Sequence, residues 1–261
     1  MNPTLAAPLD VKLMNMTAQV LLMTFVALSV VAAARWISRL PAFDIREISV
    51  TGQVSHNNAI TLRANVAPRM SGTFFTVDLA RVRTAFEAAP WVRRAVVHRH
   101  FPSRLQVVLQ EHQAEAYWGS DGESRLINSY GEVFEANVGE VEQDMLPRLN
   151  GPEGQSAEVL AMFRAVAPLF EQVELPVEQF ELSGGGSWRA RLDTGAVIEL
   201  GRGTVDEIVA RLDRFLKTLT QVTTRYGRRV NAVESADLRH ENGYAIRLRG
   251  VSTLGADGPK K

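Results

Sequence analysis

Twenty-two consecutive residues, Leu13 to Ala34, carry no charge. This run limits what the chain can become more than any other feature. At about 1.5 Å per residue a helix of this length reaches roughly 33 Å, enough to cross a hydrocarbon core of about 30 Å. A crossing so close to the N-terminus makes the rest of the 261 residues a tethered module and argues against a freely diffusing cytoplasmic enzyme. The run is not uniformly apolar: Asn15, Thr17, Gln19 and Thr24 interrupt it, and Val20 to Ala34 is its strongest part. Thr24 and Ser29 can bond back to helix carbonyls, and Trp36 stands just beyond, where an amphipathic ring favours the interface. A buried helix of a globular domain would need a packing partner, and no other segment reads as one. A cleaved signal peptide is the closer rival, with small residues at Ala32 to Ala34 and Lys12 as a basic flank. Against it, the apolar stretch exceeds the usual signal core and no turn-former precedes the alanines. The reading is a tail at 1–12, a membrane helix at 13–36 and a linker at 37–42.

Orientation is ambiguous from charge. Lys12, opposed by Asp10, precedes the span, whereas Arg35, Arg39 and Arg46 follow it, with Asp44 and Glu47 among them. Counting basic residues alone keeps the C-terminal side in the cytoplasm. The absence of cysteine suits an oxidising compartment and equally many cytoplasmic proteins. With 29 basic and 29 acidic residues the chain has no overall pull towards nucleic acid.

The remainder reads as two regions. In the first, FDIREISVTG is a strand with Ile45, Ile48 and Val50 apolar and Gly52 at its end. Asn57 or Asn58 caps a short helix through Ala64. Thr76 to Ala88 predicts a second helix, with Asp78 in its first turn or as its cap and Val77, Leu79, Val82 and Phe86 as its stripe, and Pro90 ends it. WVRRAVVHRHFPSRLQVVLQEH gives two strands. Val92, Ala95 and Val97 face inward on one, and Leu105, Val107 and Leu109 on the other. After Gln113 the texture changes. RLINSYGEVFEAN predicts two short strands around Tyr130-Gly131; a loop follows, and then LPRLNGPEG, rich in Pro and Gly. Ala157 to Phe170 is a helix. Val177 to Leu182, Trp188 to Leu192 and Ala196 to Leu200 form a meander. Thr204 to Thr223 is a long amphipathic helix with Ile208, Leu212, Phe215 and Leu219 on one face. Val230 to Leu238 and Tyr244 to Leu248 close the chain as a hairpin turned at Glu241-Asn242-Gly243. The fold class is therefore α+β: one transmembrane helix, a small βααββ domain and a second, antiparallel-sheet-rich domain with helices.

Sites for chemistry fade on inspection. LGRGTVDE follows a strand and opens a helix, but the third glycine of a dinucleotide loop is missing and Asp206 stands where phosphate wants bare amides. His98, His100 and His112 are interleaved with Arg93, Arg94, Arg99 and Arg104, whose charges oppose a metal cation. There is no serine elbow and no nucleophilic cysteine, and the carboxylates are scattered. No catalytic residue, metal ligand or cofactor is assigned. The acid-free stretch Arg93 to Arg104 suits anionic lipid or an acidic partner, with nucleic acid as a lesser alternative. The C-terminal hairpin, Val230 to Leu248, offers an open strand edge able to accept another chain; the competing reading is an edge protected by Arg239, Arg247 and Arg249.

Taken in order, PAFDIREISVTG, FFTVDLARVRTAFEAAPWVRRAVVHRHFPSRLQVVLQEHQAEAYW, LINSYGEVF, LPRLNGPEG, WRARLDTGAVIELGRG, RLDRF and DLRHENGYAIRL resemble the FtsQ/DivIB family of bitopic inner-membrane division proteins. The resemblance implies a POTRA domain at 43–112, the family's second, strand-rich domain at 113–250 and a loose tail at 251–261. It also implies a cytoplasmic N-terminus with both domains in the periplasm at the division septum, against the charge count. The family is non-enzymatic and links early and late division proteins, and its C-terminal sheet edge receives a strand from FtsB, which associates with FtsL. The positions so implied are Leu238, Arg239, His240, Asn242, Gly243, Tyr244, Ile246 and Leu248, with Arg211 or Arg214 meeting an acidic flank of the partner. His240 stands where the family commonly carries a tyrosine, and Tyr244 follows just past the turn. Val50, Thr51, Gly52 and Gln53 are the implied contacts to upstream division proteins. Two other classes stay open at this point. Another POTRA-bearing transport or outer-membrane assembly component would show further POTRA repeats or a β-barrel; an exported enzyme would show a concentrated acid–base or metal site.

Overall fold

A computed structural model describes residues 9–56, 62, 66, 72–120, 122–137, 139, 146–240 and 243–251. The uncharged run is a single helix, α1 (Leu9–Ile37), and its most apolar window is unburied among the described residues. Thr17 Oγ1 and Thr24 Oγ1 donate back to the carbonyls of Leu13 and Val20, which satisfies these two hydroxyls without water. The chain divides into two compact units, residues 1–111 and 112–261.

The first unit contains β1 (Glu47–Gly52), α2 (Leu79–Glu87), β2 (Val92–His100) and β3 (Arg104–Glu111). Its sheet runs β1-β3-β2, with β1 parallel and β2 antiparallel to β3. Asp78 caps α2 by accepting the amides of Ala80 and Arg81 at 2.9 and 3.3 Å. The helix is shorter than the predicted Thr76 to Ala88 because the cap falls at Asp78. Leu105, Val107 and Leu109 alternate into the core as expected. Val92 and Ala95 both face inward despite their odd spacing, because a bulge between Val92 and Arg94 adds a residue to β2. The expected first helix, Asn57 or Asn58 through Ala64, falls almost entirely outside the described residues; Leu62 and Val66, which are described, are buried in this core.

The second unit is built on a nine-stranded mixed sheet. Its strands are β4 (Ala114–Trp118), β5 (Arg125–Asn128), β6 (Val133–Glu135), β7 (Arg148–Asn150), β8 (Val177–Leu182), β9 (Trp188–Leu192), β10 (Val197–Gly201), β11 (Val233–Asp237) and β12 (Ala245–Leu248). Their spatial order is β12-β11-β10-β9-β8-β7-β4-β5-β6. The predicted meander is β8 to β10, and the predicted terminal hairpin is β11 and β12. The Pro- and Gly-rich segment, to which the sequence pattern assigned no element, holds β7, a three-residue strand in the middle of the sheet whose Leu149 is fully buried. Helices α3 (Ser156–Glu171) and α4 (Val205–Arg225) join the parallel pairs β7/β8 and β10/β11. A parallel pair needs such a crossover, and the helices pack against each other over the sheet. Phe170, Phe180, Phe215 and Trp188 anchor the core between them. The far side of β8 to β10 is polar, with Arg189 bonded to Glu199 across strands at 2.8 Å.

Candidate functional site

Among the described residues no strand lies beyond β12, so the sheet ends there. Alternate residues of such an edge turn an N–H and a C=O outward. Residues Asp237, Ala236 and Ser235 of β11 face Ala245, Ile246 and Arg247 of β12, which fixes the register of the edge. The three arginines expected to shield it are each tied to acceptors on the sheet side. Arg239 grips the carboxylate of Asp237 through Nε and Nη2 at 2.8 and 2.6 Å. Arg247 pairs with Glu234 at 3.2 Å, and Arg249 donates to the Thr194 carbonyl. The Arg239 guanidinium is the main reason Asp237 is held at about 2; the Arg239 amide and the Arg239 and His240 charges add to it, and partial burial opposes.

Beside the edge runs α4. Thr204 and Glu207 start it with a reciprocal capping box, the Glu207 carboxylate accepting the Thr204 amide at 2.8 Å. Ile208, Leu212, Phe215 and Leu219 turn into the core. The neighbouring stripe forms one wall of a cavity of about 360 Å³, lined by Arg211, Arg214, Phe215, Lys217, Thr218, Leu238, His240, Gly243 and Tyr244. Six of the ten residues expected at the partner site thus meet in one place. Tyr244 closes the cavity's edge. Its ring stands edge-on to Phe215 with centroids 4.9 Å apart, and its hydroxyl is 2.7 Å from Thr218 Oγ1. Past Tyr244 a shallower groove continues along α4 by Lys217, Gln221, Val222 and Arg225.

The two arginines differ. Arg211 Nη1 donates to the carbonyls of Leu200 and Arg202, whereas Arg214 is exposed and, among the described residues, has only a long 3.4 Å bond to Ala210 O. Arg214 therefore carries the charge free to meet an acidic group. In LGRGTVDE the same contacts tie the carbonyls of Leu200 and Arg202 to the Arg211 guanidinium. Gly201, at φ +83°, leaves room for Arg211 and Arg239, whose nearest atoms would sit 3.1 and 3.0 Å from an added Cβ. Leu238 and Leu248 are buried, so their side chains serve the core while their backbone lies at or next to the edge. Ile246 is half-buried, and Arg239 faces Asp237 rather than the cavity. Asn242 lies outside the described residues. Phe215, Lys217 and Thr218 were missed as site residues; they follow Arg211 and Arg214 at helical spacing, the pattern by which they could have been found.

In the first unit, Val50 is half-buried against the core, while Thr51, Gly52 and Gln53 are exposed at the end of edge strand β1. The Gln53 amide donates to Leu109 O at 3.1 Å, and Gly52 sits at φ +105° beside that carbonyl.

Two family models match the chain: the FtsQ-type POTRA domain over residues 43–112, and the C-terminal region of cell division protein FtsQ/DivIB over residues 116–239. The chain is 39% identical to cell division protein FtsQ of Burkholderia pseudomallei, covering 94% of this chain and 96% of that one. It belongs to the FtsQ/DivIB family. The FtsQ proteins of Thiomonas arsenitoxydans and Bordetella pertussis are 36% and 33% identical, with 95% and 92% of this chain covered and 91% and 92% of theirs. As a member of the FtsQ/DivIB family the protein is a non-enzymatic, membrane-anchored scaffold of the division machinery. It crosses the inner membrane once, through α1, and carries a periplasmic folded portion that works through protein–protein contacts.

Proposed function

We propose that this scaffold recruits FtsB, and FtsL with it, by adding a strand of FtsB to β12 at the septum, with residues 1–12 in the cytoplasm and both units in the periplasm. One observation carries the reading: the open edge of β12 runs beside a cavity with an apolar floor and a basic rim. Main-chain bonds along Ala245 to Leu248 supply affinity, and the cavity selects side chains. Tyr244 and His240 flank the incoming chain, Gly243 leads into the edge, and Arg214, backed by Arg211, meets an acidic residue of the partner. Leu238, Arg239, Ile246 and Leu248 hold the edge in place. Val50 to Gln53 at the end of β1 are the contact for upstream division proteins.

The test is binding of the FtsB periplasmic segment to two variants. Ile246→Pro removes an edge-strand amide and Tyr244→Ala removes the aromatic wall without touching the backbone. Both weaken capture of FtsB while the second unit keeps its thermal transition. Unchanged binding by folded Ile246→Pro and Tyr244→Ala rejects this site.

A further inference from the structure

Five side chains in the uncharged run of α1 can hydrogen-bond: Asn15, Thr17, Gln19, Thr24 and Ser29. Thr17 and Thr24 are satisfied by their own helix, at 2.9 and 2.8 Å. Among the described residues Asn15, Gln19 and Ser29 bond to nothing. At 100° per residue these three share one side of the helix, and the self-satisfied threonines lie on the opposite side. Asn15, Gln19, Leu22, Val26, Ser29 and Ala33 follow one another at steps of four and three, the spacing of a single seam in a left-handed helix pair. Gln19 lies roughly 9 Å inside the start of the run, where a carboxamide gains from a partner that replaces water.

We propose that α1 is a dimerisation element, in which two copies of this chain pack in parallel along that seam and bond their carboxamides across it. The occupant follows from the chemistry. A carboxamide is both donor and acceptor, so it is its own complement. Insertion gives every copy the same direction and depth, so Asn15 meets Asn15 and Gln19 meets Gln19 without a search for register. Leu22, Val26 and Ala33 fill the spaces between. Seven residues before Gln19 the seam reaches Lys12, at headgroup level, where water and salt screen like charges.

The chain has no cysteine, so single-cysteine reporters need no background removal. The full chain is reconstituted in phosphatidylcholine vesicles as Val26→Cys, on the seam, or Leu28→Cys, at similar depth on the other side. Oxidation cross-links Val26→Cys several-fold faster than Leu28→Cys. Adding Gln19→Leu or Asn15→Leu to Val26→Cys weakens the dimer about 3- to 30-fold for each amide removed, read as energy transfer between labelled chains diluted into lipid. Leucine favours insertion, so the loss is not a failure to enter the bilayer. Equal cross-linking at both positions, association indifferent to both amides, or a chain that stays monomeric and pairs only with another protein's helix overturns the proposal.

Discussion

Gly52 ends β1 inside the segment expected to contact upstream division proteins, and its role is decided by what an alanine there would meet. The new Cβ would lie 2.2 Å from the carbonyl oxygen of Leu109, well inside van der Waals contact and against backbone that cannot rotate away. That oxygen is also the acceptor for the Gln53 amide at 3.1 Å, so moving it disturbs the bond that closes the β1–β3 pairing. The positive φ of 105° adds strain for any residue with a Cβ. Strain of about 1–2 kcal/mol and a lost hydrogen bond of about 1 kcal/mol give roughly 3 kcal/mol for Gly52→Ala, before any relaxation of the clash. Amide exchange in β1 and β3 reports this locally: Gly52→Ala accelerates exchange at Ile48 to Gly52 about a hundredfold, while β8 to β10 are unaffected. If Gly52 served only as a contact for partners, its substitution would leave exchange unchanged. A loss below about 1 kcal/mol refutes the packing argument.

Two further outcomes follow from buried or paired polar groups. Because the Asp237 carboxyl is held at about 2, below its unfolded value near 3.9, its stabilisation is present above about pH 4 and is lost as pH falls towards 2. The pair is partly exposed, so Asp237→Asn lowers stability by about 1 kcal/mol at neutral pH, and urea titrations of the two proteins converge near pH 2. Asn128 is fully buried; its Oδ1 accepts the amides of Tyr130 and Glu132, both at 2.9 Å, and its Nδ2 donates to Glu132 at 2.7 Å. Asn128→Ala strands two amides at the β5–β6 turn and destabilises the second unit by about 2–4 kcal/mol in calorimetry; a change under 1 kcal/mol contradicts this.

What the sequence disclosed was whatever repeats with a local period. The faces of α4 and β3 are examples, as Ile208, Leu212, Phe215 and Leu219, and then Leu105, Val107 and Leu109, alternate without interruption. The cap at Asp78 was legible for the same reason, since capping is chemistry within a few residues. β7 was not, because three residues between Pro147 and Pro152 show no alternation, and its place in mid-sheet comes from neighbours far along the chain. The parallel pairing of β10 with β11 was hidden likewise: a strand, helix and strand in series do not state which edge they add to. At the candidate site the Asn-Gly turn disclosed the hairpin and the resemblance pointed to the two arginines, but not to their difference. That Arg211 is spent on the carbonyls of Leu200 and Arg202 while Arg214 stays free depends on how α4 lies across the end of β10.

The central claim is that β12 is the strand to which a partner chain adds. Amide exchange of Ala245 to Leu248, measured in the folded protein with and without the FtsB periplasmic segment, tests it most directly. Strand addition protects the outward-facing amides of β12 in an alternating pattern and leaves the already paired amides of β9 little changed. Saturating FtsB that leaves β12 exchanging as fast as before, with protection elsewhere, contradicts the account.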